Sequence, residues 1–434
     1  MKFIKKYYKY YLCFLIIFLS LIFFGYNNTD NIWNYGMAHA IHMGEVPYRD
    51  FNIITTPLYP ILMNFFLLFQ DSYLFFLIGQ AVLGTVCYYF VDSFVGKKIL
   101  FLLPIIGMGL FYFFFPNYNF FVFFFLVLLM YLEKEKKSDY LIGLVLAFLI
   151  LTKHTMGVVV VFFSLLSTFH LSKCFKRIVA MIGPGLLFVF YLILTNSFSS
   201  FWNLSVIGLF DFGGHNNYRS VMILIFAGLC LLYCLYHIKK NPKDPLNYYL
   251  LSSFFFLYPI TDSFHFQYVI ILTLLLVLYR IGKIPNVIYH GSIVLCVFFL
   301  LFNIAYHYPV YKQAVFSQEN HFLGYLTTKE NADHIHMVLE DYQTKENAYM
   351  FSFSNMYFDI ASNHKITYFD IPLYGNFGYD GVSSMKKKVD SMHDVYFYVQ
   401  DHKNIQYCDE VYHYIKEKSQ FSYQIGKFEV YYKD

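Results

Sequence analysis

The chain has 434 residues, of which 58% are hydrophobic and only 14% are charged, and its formal net charge is +4. Soluble domains carry about 25% charged residues, so the composition excludes an ordinary soluble globular protein and predicts an integral membrane protein. No basic stripe follows a soluble segment, and the lysine run at 386–388 is typical of a solvated surface. We therefore expect no nucleic-acid partner.

Apolar segments of spanning or nearly spanning length recur along the chain and predict about eleven transmembrane helices. The N-terminus combines four lysines with an apolar run, but no small-x-small cleavage site follows, so we expect an uncleaved first helix. The segments lie at 10–26, 73–95, 99–116, 120–132, 140–152, 158–172, 178–196, 220–238, 247–260, 266–280 and 287–307.

Lysine and arginine concentrate in every second loop of this arrangement. By the positive-inside rule, the N-terminus is cytoplasmic, and both the first loop at 27–72 and the C-terminal region are extracytoplasmic. The segment 57–69 is apolar but short, and counting it as a span would invert every later loop. We therefore expect it to form a helix on the outer membrane surface. The basic groups lie at 97–98, 134–137, 173–177, 239–243 and 280–283.

The composition changes at about residue 311, which divides the chain into a membrane domain at 1–310 and a soluble domain at 311–434. About 120 residues suffice for an independent core, and we expect a small extracytoplasmic α/β domain. Its position alone suggests a role in acceptor recognition. Strand-like runs lie at 348–353, 365–369, 395–399 and 425–432, and helix-like runs lie at 329–343 and 405–419.

Two carboxylates stand out in the first extracytoplasmic loop. Asp30 follows the first apolar segment, and Asp50 lies beside Arg49 twenty residues later. Residues 33–43 predict a short helix ended by Gly44, which could fold the two acids toward each other. Alternatively, Asp30 is a solvated residue after a membrane helix, and Arg49 and Asp50 form a local ion pair that fixes the loop.

Four features follow one another in this region: an acid after the first span, a short helix, the motif Gly-x-x-Pro-Tyr-x-Asp-Phe at 44–51 and a Pro-Leu surface helix. This order resembles that of GT-C-type glycosyltransferases. The nearest-looking branch comprises bacterial relatives of protein O-mannosyltransferases and aminoarabinose transferases. The resemblance covers the topology of 1–310 and is sharpest over 28–60. Many relatives carry Asp-Glu where this chain has Asp30-Asn31, so the second acid's role is unfilled or passes to Asp50.

The resemblance implies an inverting hexosyl- or pentosyltransferase in a bacterial plasma membrane. Its donor would be a sugar linked to a polyprenyl phosphate, and its acceptor would be a cell-envelope glycan, lipid or protein. Asp30 would accept the proton of the acceptor hydroxyl. Arg49 and Lys153 would bind the lipid phosphate.

The pair Lys153-His154 interrupts two apolar runs near the predicted outer face. Ionisable residues at membrane depth usually line cavities, which favours phosphate binding; the alternative is a short exposed turn with a snorkelling lysine. Members of the resembled family carry similar Lys-Gln-x-x-Gly interruptions, with glutamine at the position of His154.

Asp262 and His265 lie three residues apart at another predicted outer turn, where a helical turn would place them on one face. They could contact an acceptor, or join Asp30 and Asp50 around a divalent ion. True metal sites show tighter ligand spacing, so we expect no metal or other cofactor. Arg219 ends the loop at 196–219, which is either a mobile cover over donor or acceptor or only a surface loop.

Two other functions fit a polytopic membrane protein. A glycan flippase or other secondary carrier would place ionisable residues near the midplane and often shows repeated halves, whereas here they cluster at the predicted outer face and no repeat is found. A polysaccharide polymerase or ligase would be expected to carry a large arginine-rich loop in the middle of the chain. Here the most informative loop comes first, so glycosyl transfer is the leading hypothesis.

Overall fold

The computed structural model describes residues 2–24, 29–96, 117–168, 170–281, 312–318, 323–362, 364, 371–400 and 407–434, with six isolated positions between 291 and 308. The chain forms two compact units. Unit 1 comprises Met1–Gly25, Leu77–Phe190 and Asn217–Pro309, and unit 2 comprises Tyr26–Phe76, Tyr191–Asn216 and Val310–Asp434. The predicted span at 99–116, most of the span at 287–307 and the predicted strand at 365–369 lie outside the described residues.

Helices dominate the described residues up to 281. In addition to the helices α1 to α13, Trp202–Ile207 forms a π-helical segment and Phe254–Leu257 forms a 3-10 turn. In chain order the helices are α1 Lys2–Phe24, α2 Thr29–His42, α3 Leu58–Leu67, α4 Tyr73–Val95, α5 Tyr118–Lys134, α6 Asp139–Thr152, α7 His154–Thr168, α8 Leu171–Leu194, α9 Phe198–Phe201, α10 Gly208–His215, α11 Val221–Lys240, α12 Pro245–Ser253 and α13 Ser263–Ile281.

Four of the described helices, α4, α8, α11 and α13, are long and apolar enough to cross a membrane. The apolar parts of α1, α6 and α7 are shorter than this. The chain is therefore mostly helical and compatible with a membrane location, and the total of eleven spans stays a prediction.

Helices α5 and α13 of unit 1 run in the same direction. Near their N-termini the rings of Phe123 and Tyr268 lie 5.8 Å apart. At their C-termini the Lys134 ammonium lies 5.9 Å from the Tyr279 ring. The residues that precede α5 and those that precede α13 consequently lie at the same end of unit 1.

One buried guanidinium joins five helices of unit 1. Arg177 on α8 is 1% exposed and pairs with Glu133 of α5 at 2.8 Å and with Asp139 of α6 at 2.9 Å. It also donates to the Ser164 hydroxyl of α7 at 2.7 Å, and the Tyr249 hydroxyl of α12 donates to Glu133 at 3.1 Å. We call these five residues the Arg177 cluster. Because each charge has partners, the cluster avoids the large cost of an unpaired buried charge.

The Arg177 cluster belongs to a basic end of unit 1. Lys9 pairs there with Asp92 near the end of α4, at 2.7 Å. Arg280 at the end of α13 pairs with Asp244 at 3.0 Å. The lysines and arginines at 134–137, 173–177, 239–243 and 280 thus share one end, as the alternation of charged loops predicts. On which side of a membrane this end lies stays a prediction.

Helices α6 and α7 form a hairpin joined by the single residue Lys153, whose backbone is extended. A side chain at Gly157 of α7 would overlap the backbone of Ile150 on α6, and one at Gly143 would overlap the Arg177 backbone. Glycine at both positions lets the helices approach closely. The hairpin places Lys153 at the opposite end of unit 1 from Arg177.

In unit 2, α2 packs on α3. The prediction that α2 ends at Gly44 is confirmed: Gly44 has φ +87°, a left-handed conformation that favours glycine and ends helices. The predicted short helix after Pro57 is also confirmed, as the ten-residue α3. Besides its buried face, α3 has an apolar exposed face that carries Ile61 and Phe65, 44% and 55% exposed. Leu68 and Phe69, which directly follow the helix, are 67% and 70% exposed.

The C-terminal part of unit 2 contains a four-stranded sheet with the strand order β3-β4-β6-β5, in which β3 and β4 are parallel and the other pairs antiparallel. The predicted helix at 329–343 and strand at 395–399 are confirmed with the same bounds. The elements are β1 Ala314–Gln318, β2 Gly324–Thr328, α14 Lys329–Gln343, β3 Ala348–Phe351, α15 Asn355–Ser362, α16 Gly381–Ser391, β4 Val395–Val399, α17 Asp409–Lys418, β5 Gln420–Ile425 and β6 Phe428–Lys433.

The first loop and the segment before Arg219 pack against this C-terminal region within unit 2. Gly36 of α2 lies so close to Met356 of α15 that a Cβ at residue 36 would overlap the methionine side chain. The backbone N–H of Asp380 donates to Asp211 of α10 at 2.9 Å. The segment expected to be a loop over 196–219 is mostly helical, because these packed contacts and its run of apolar residues favour helix.

We expect Arg177→Met to lower the free energy of unfolding by about 3–5 kcal/mol, because Glu133 and Asp139 would lose their buried partner. Thermal unfolding of the purified protein in detergent measures the change, and Lys239→Met, an exposed cation at the same end, is the control. Adding Glu133→Gln and Asp139→Asn to Arg177→Met should recover part of the loss. Equal stability of the Arg177 and Lys239 variants would contradict the role of the cluster.

Candidate functional site

Asp30 lies in the first turn of α2, and its side chain is exposed. A carboxylate is favourable at this position because a helix N-terminus carries partial positive charge. The next residue, Asn31, is buried and donates to the Tyr73 hydroxyl at 2.8 Å. Asn31 therefore anchors α2 to the start of α4, whereas the Asp30 carboxylate is accessible from solvent.

A second acid, Asp71, anchors the other end of α2. Asp71 Oδ2 lies 2.8 Å from His39 Nδ1, and Asp71 Oδ1 accepts a hydrogen bond from the Tyr35 hydroxyl at 3.4 Å. His42 contacts Asn64 of α3 at 3.1 Å. These pairs are separated by more than twenty residues in sequence, and no local pattern indicates them. They hold α2, and with it Asp30, in a defined position.

Asp50 is engaged by its neighbours. Its two carboxylate oxygens accept from the Arg49 guanidinium at 2.8 and 2.7 Å, and one of them also accepts from the Val46 backbone N–H at 2.7 Å. The bidentate pair is the local ion pair that the sequence left open as an alternative. The arrangement indicates that Asp50 and Arg49 hold the turn after Gly44, and a catalytic role for Asp50 stays a prediction.

The turn at 47–51 is closed by Tyr48. Its backbone is left-handed, with φ +70°, a conformation that costs free energy in a residue other than glycine. The buried side chain compensates: its hydroxyl donates to the Thr55 carbonyl at 2.7 Å, and its ring meets Phe201 edge-on at 5.3 Å. The Pro-Tyr-x-Asp-Phe motif therefore has a structural explanation within unit 2.

Lys153 of unit 1 forms a polar cluster, here called the Lys153 cluster, with the first turn of α5. Its ammonium donates to Asn119 Oδ1 at 2.8 Å and lies 5.3 Å from the Tyr118 ring. Asn119 is 1% exposed, and its Nδ2 has no hydrogen-bond partner among the described residues. An unsatisfied buried donor is costly. The pair thus offers a cation and an amide N–H, the groups that bind an anionic oxygen.

The N-terminus of α7 adds to this cluster. The half-buried His154 is the first residue of α7, and the first hydrogen bond of the helix runs from the Gly157 N–H to the Lys153 carbonyl at 2.8 Å. The amides of the first turn have no carbonyl partner within a helix, and a helix N-terminus favours anions. Lys153, Asn119 and the start of α7 are together suited to hold a phosphate.

Asp262 and His265 form a close pair at the start of α13. Asp262 Oδ1 contacts His265 Nδ1 at 2.8 Å and accepts from the His265 backbone N–H at 2.8 Å. Burial acts to raise the pKa of Asp262, but the hydrogen bonds and charge of His265 outweigh burial and lower that pKa. The carboxylate caps the helix, which is a sufficient structural reason for its position.

Arg219 lies beside the Asp262 turn through backbone contacts. The Thr261 N–H donates to the Tyr218 carbonyl at 2.8 Å, and the Ser220 N–H donates to the Thr261 carbonyl at 3.0 Å. The Arg219 side chain is exposed and donates to Asn217 at 3.0 Å. Its guanidinium is therefore accessible at the same turn as Asp262.

The predicted site residues fall into two sets. Because α5 and α13 run in parallel, the Lys153 cluster and the turn that carries Arg219, Asp262 and His265 share one end of unit 1. Asp30, Arg49 and Asp50 belong to unit 2. Across the described part of the chain, no three histidine, cysteine, aspartate or glutamate residues are grouped as metal ligands. Comparisons with protein-family models, curated proteins and solved structures found no match to this chain.

We expect Asp50→Ala to lower the free energy of unfolding by about 0.5–1.5 kcal/mol, because the Val46 N–H would lose its hydrogen-bond acceptor. The exposed Arg49 guanidinium loses its partner as well, but water solvates it. Asp333→Ala, which removes an exposed acid of α14 in the same unit, should leave stability nearly unchanged. Thermal unfolding in detergent compares the two variants. Equal melting temperatures would show that Asp50 does not hold the turn.

Proposed function

We propose that this protein is an inverting glycosyltransferase that moves a sugar from a polyprenyl-phosphate donor to a cell-envelope acceptor at the outer face of the membrane. The observation that carries the proposal is the exposed Asp30 carboxylate in the first turn of α2, the helix that follows the apolar α1. A general base must be accessible to the acceptor hydroxyl and must be held in position. The anchored position of α2 meets both requirements.

The exposed apolar face of α3 supports a location at the lipid surface. Ile61 and Phe65 of α3 and the two residues that follow it, Leu68 and Phe69, are exposed. The helix itself has ten residues and is about 15 Å long, which is too short to cross a bilayer. A helix of this kind lies in the interface with its apolar side chains in lipid. Because α3 packs on α2, this placement would bring Asp30 to the boundary between lipid and water.

The proposed reaction exchanges one bond at the anomeric carbon. The acceptor oxygen attacks that carbon from the face opposite the phosphate, and the bond between the carbon and the phosphate oxygen breaks. The bonding electrons leave with the polyprenyl phosphate, and the configuration is inverted. Asp30 takes the proton of the acceptor hydroxyl, so that no charged oxygen accumulates on the acceptor.

The Lys153 cluster supports the phosphate half of this reaction. The charge that develops on the leaving phosphate is stabilised by cations and amide donors. Lys153 Nζ and Asn119 Nδ2 supply these two kinds of donor, and Asn119 Nδ2 has no hydrogen-bond partner within the described residues. We assign Lys153 the role of phosphate ligand.

We expect Asp30→Asn to reduce transfer by a factor of about 10² to 10⁴, because asparagine cannot accept the proton. The assay uses protein in lipid nanodiscs with polyprenyl phosphates that carry radiolabelled glucose, mannose, galactose, N-acetylglucosamine or arabinose. Release of the sugar to a membrane-extract acceptor is followed by chromatography.

The matched control is Asp409→Asn, which removes an exposed acid from the first turn of α17. This variant should retain full transfer. Full activity of Asp30→Asn would remove Asp30 from the mechanism. Movement of intact labelled lipid across the membrane without cleavage would favour a flippase instead.

We expect Lys153→Met to weaken inhibition by the product polyprenyl phosphate at least about tenfold, because a charged hydrogen-bond donor to the phosphate is lost. The inhibition constant is measured in the same transfer assay. Lys239→Met removes an exposed lysine from the other end of unit 1 and should leave the constant unchanged. An unchanged constant in Lys153→Met would contradict phosphate binding by Lys153.

A further inference from the structure

A cavity of about 260 Å³ lies inside unit 2, between the start of α2 and the C-terminal region. Trp33 of α2, Phe353 before α15 and Phe428 of β6 contribute aromatic rings to its wall. Ligand pockets commonly measure about 300–1,000 Å³. A cavity near the lower bound suits a group the size of one sugar ring.

The wall combines aromatic rings with polar groups of several kinds. Asn331, Gln400 and Ser354 supply amide and hydroxyl groups to the same cavity. Sugar rings present apolar C–H faces, which pack on aromatic rings, and hydroxyls, which bond to amides and hydroxyls. The two sets of residues match the two sides of a saccharide better than they match a wholly apolar ligand.

The charge of the wall is positive. Lys427 lies at the turn between β5 and β6, and none of the described residues that line the cavity is acidic. Gly426 has φ +55°, and a Cβ there would overlap the His334 ring, so the turn is held against this histidine. Burial and the Lys427 charge lower the pKa of His334, which keeps its imidazole neutral. Lys427 is therefore the positively charged side chain available to a ligand in this cavity.

The cavity lies close to Asp30 along α2. Asp30 and Trp33 are three residues apart on this helix, a spacing that places them on neighbouring positions of one face. The backbones of Asp30 and Trp33 are consequently about 4.5 Å apart along the helix axis.

We propose that this cavity is the acceptor subsite and that it binds one sugar ring with a negatively charged substituent, which contacts Lys427. The charge is a carboxylate or a phosphate on the sugar. The inference rests on the proposed function, because it assigns Asp30 to the hydroxyl of the bound ring. Binding itself is measurable without transfer, so the two proposals can fail separately.

The test uses tryptophan fluorescence, because Trp33 and Trp202 are the two tryptophans of the chain. A Trp202→Phe background isolates Trp33. The full chain is placed in lipid nanodiscs, since maltoside detergents carry a competing sugar. The probes are methyl glucuronoside, methyl glucoside 6-phosphate, neutral methyl glucoside and inorganic phosphate.

We expect saturable changes in Trp33 emission, with at least one anionic sugar binding about fivefold more tightly than methyl glucoside. Lys427→Met should abolish this difference and leave the affinity for methyl glucoside unchanged. Lys387→Met, an exposed lysine of α16 that does not line the cavity, should alter neither value.

Three results would overturn the inference. They are the absence of a saturable response to any sugar, an equal loss for charged and neutral sugars in Lys427→Met, and binding of inorganic phosphate as tight as that of the anionic sugars. The last result would indicate a site for phosphate alone. Intact sugar binding together with full activity of Asp30→Asn would instead refute the assignment of Asp30 and leave the cavity as a saccharide site.

Discussion

The arrangement of unit 1 depends on the buried Arg177 guanidinium. A charge with 1% exposure is stable only when carboxylates and hydrogen-bond acceptors surround it. Here they come from α5, α6 and α7, and Tyr249 of α12 donates in turn to Glu133. The helices must therefore bring one set of ends together around the arginine. Their other ends, with Lys153 and the turn before α13, form the polar end of the unit. A buried ion pair thus sets which helix termini are neighbours.

Within unit 2, α2 is the element shared by every proposed feature. Asp71 and Tyr73 anchor its side chains, α3 supports it with an apolar outer face, and Met356 packs on Gly36. The exposed Asp30 and the cavity-lining Trp33 are three residues apart on this helix. A short helix that is held from several sides can position a reactive carboxylate and a binding wall with little freedom between them.

Local and long-range contacts divide the predicted site residues by role. Asp50 and Asp262 each accept hydrogen bonds from residues within four positions along the chain, and such bonds explain a turn and a helix cap. The polar contact of Lys153 with Asn119 joins residues 34 positions apart and leaves a buried amide donor unused. A polar group whose hydrogen bonds are explained by its own turn or helix cap is a weaker candidate for a catalytic or binding role. A group that retains an unused hydrogen-bond donor is a stronger one.

Much of the secondary structure was predictable from sequence alone, because periodicity and glycine act locally. The helix at 329–343, the strand at 395–399 and the end of α2 at Gly44 are of this kind, and so is the alternation of basic loops. The partners of Arg177, the role of Asp71, the pairing of Lys153 with Asn119 and the cavity beside Trp33 were decided by tertiary structure. Each of these features joins residues that are far apart in the chain. The local sequence does not indicate which distant side chain will accept a hydrogen bond or line a cavity.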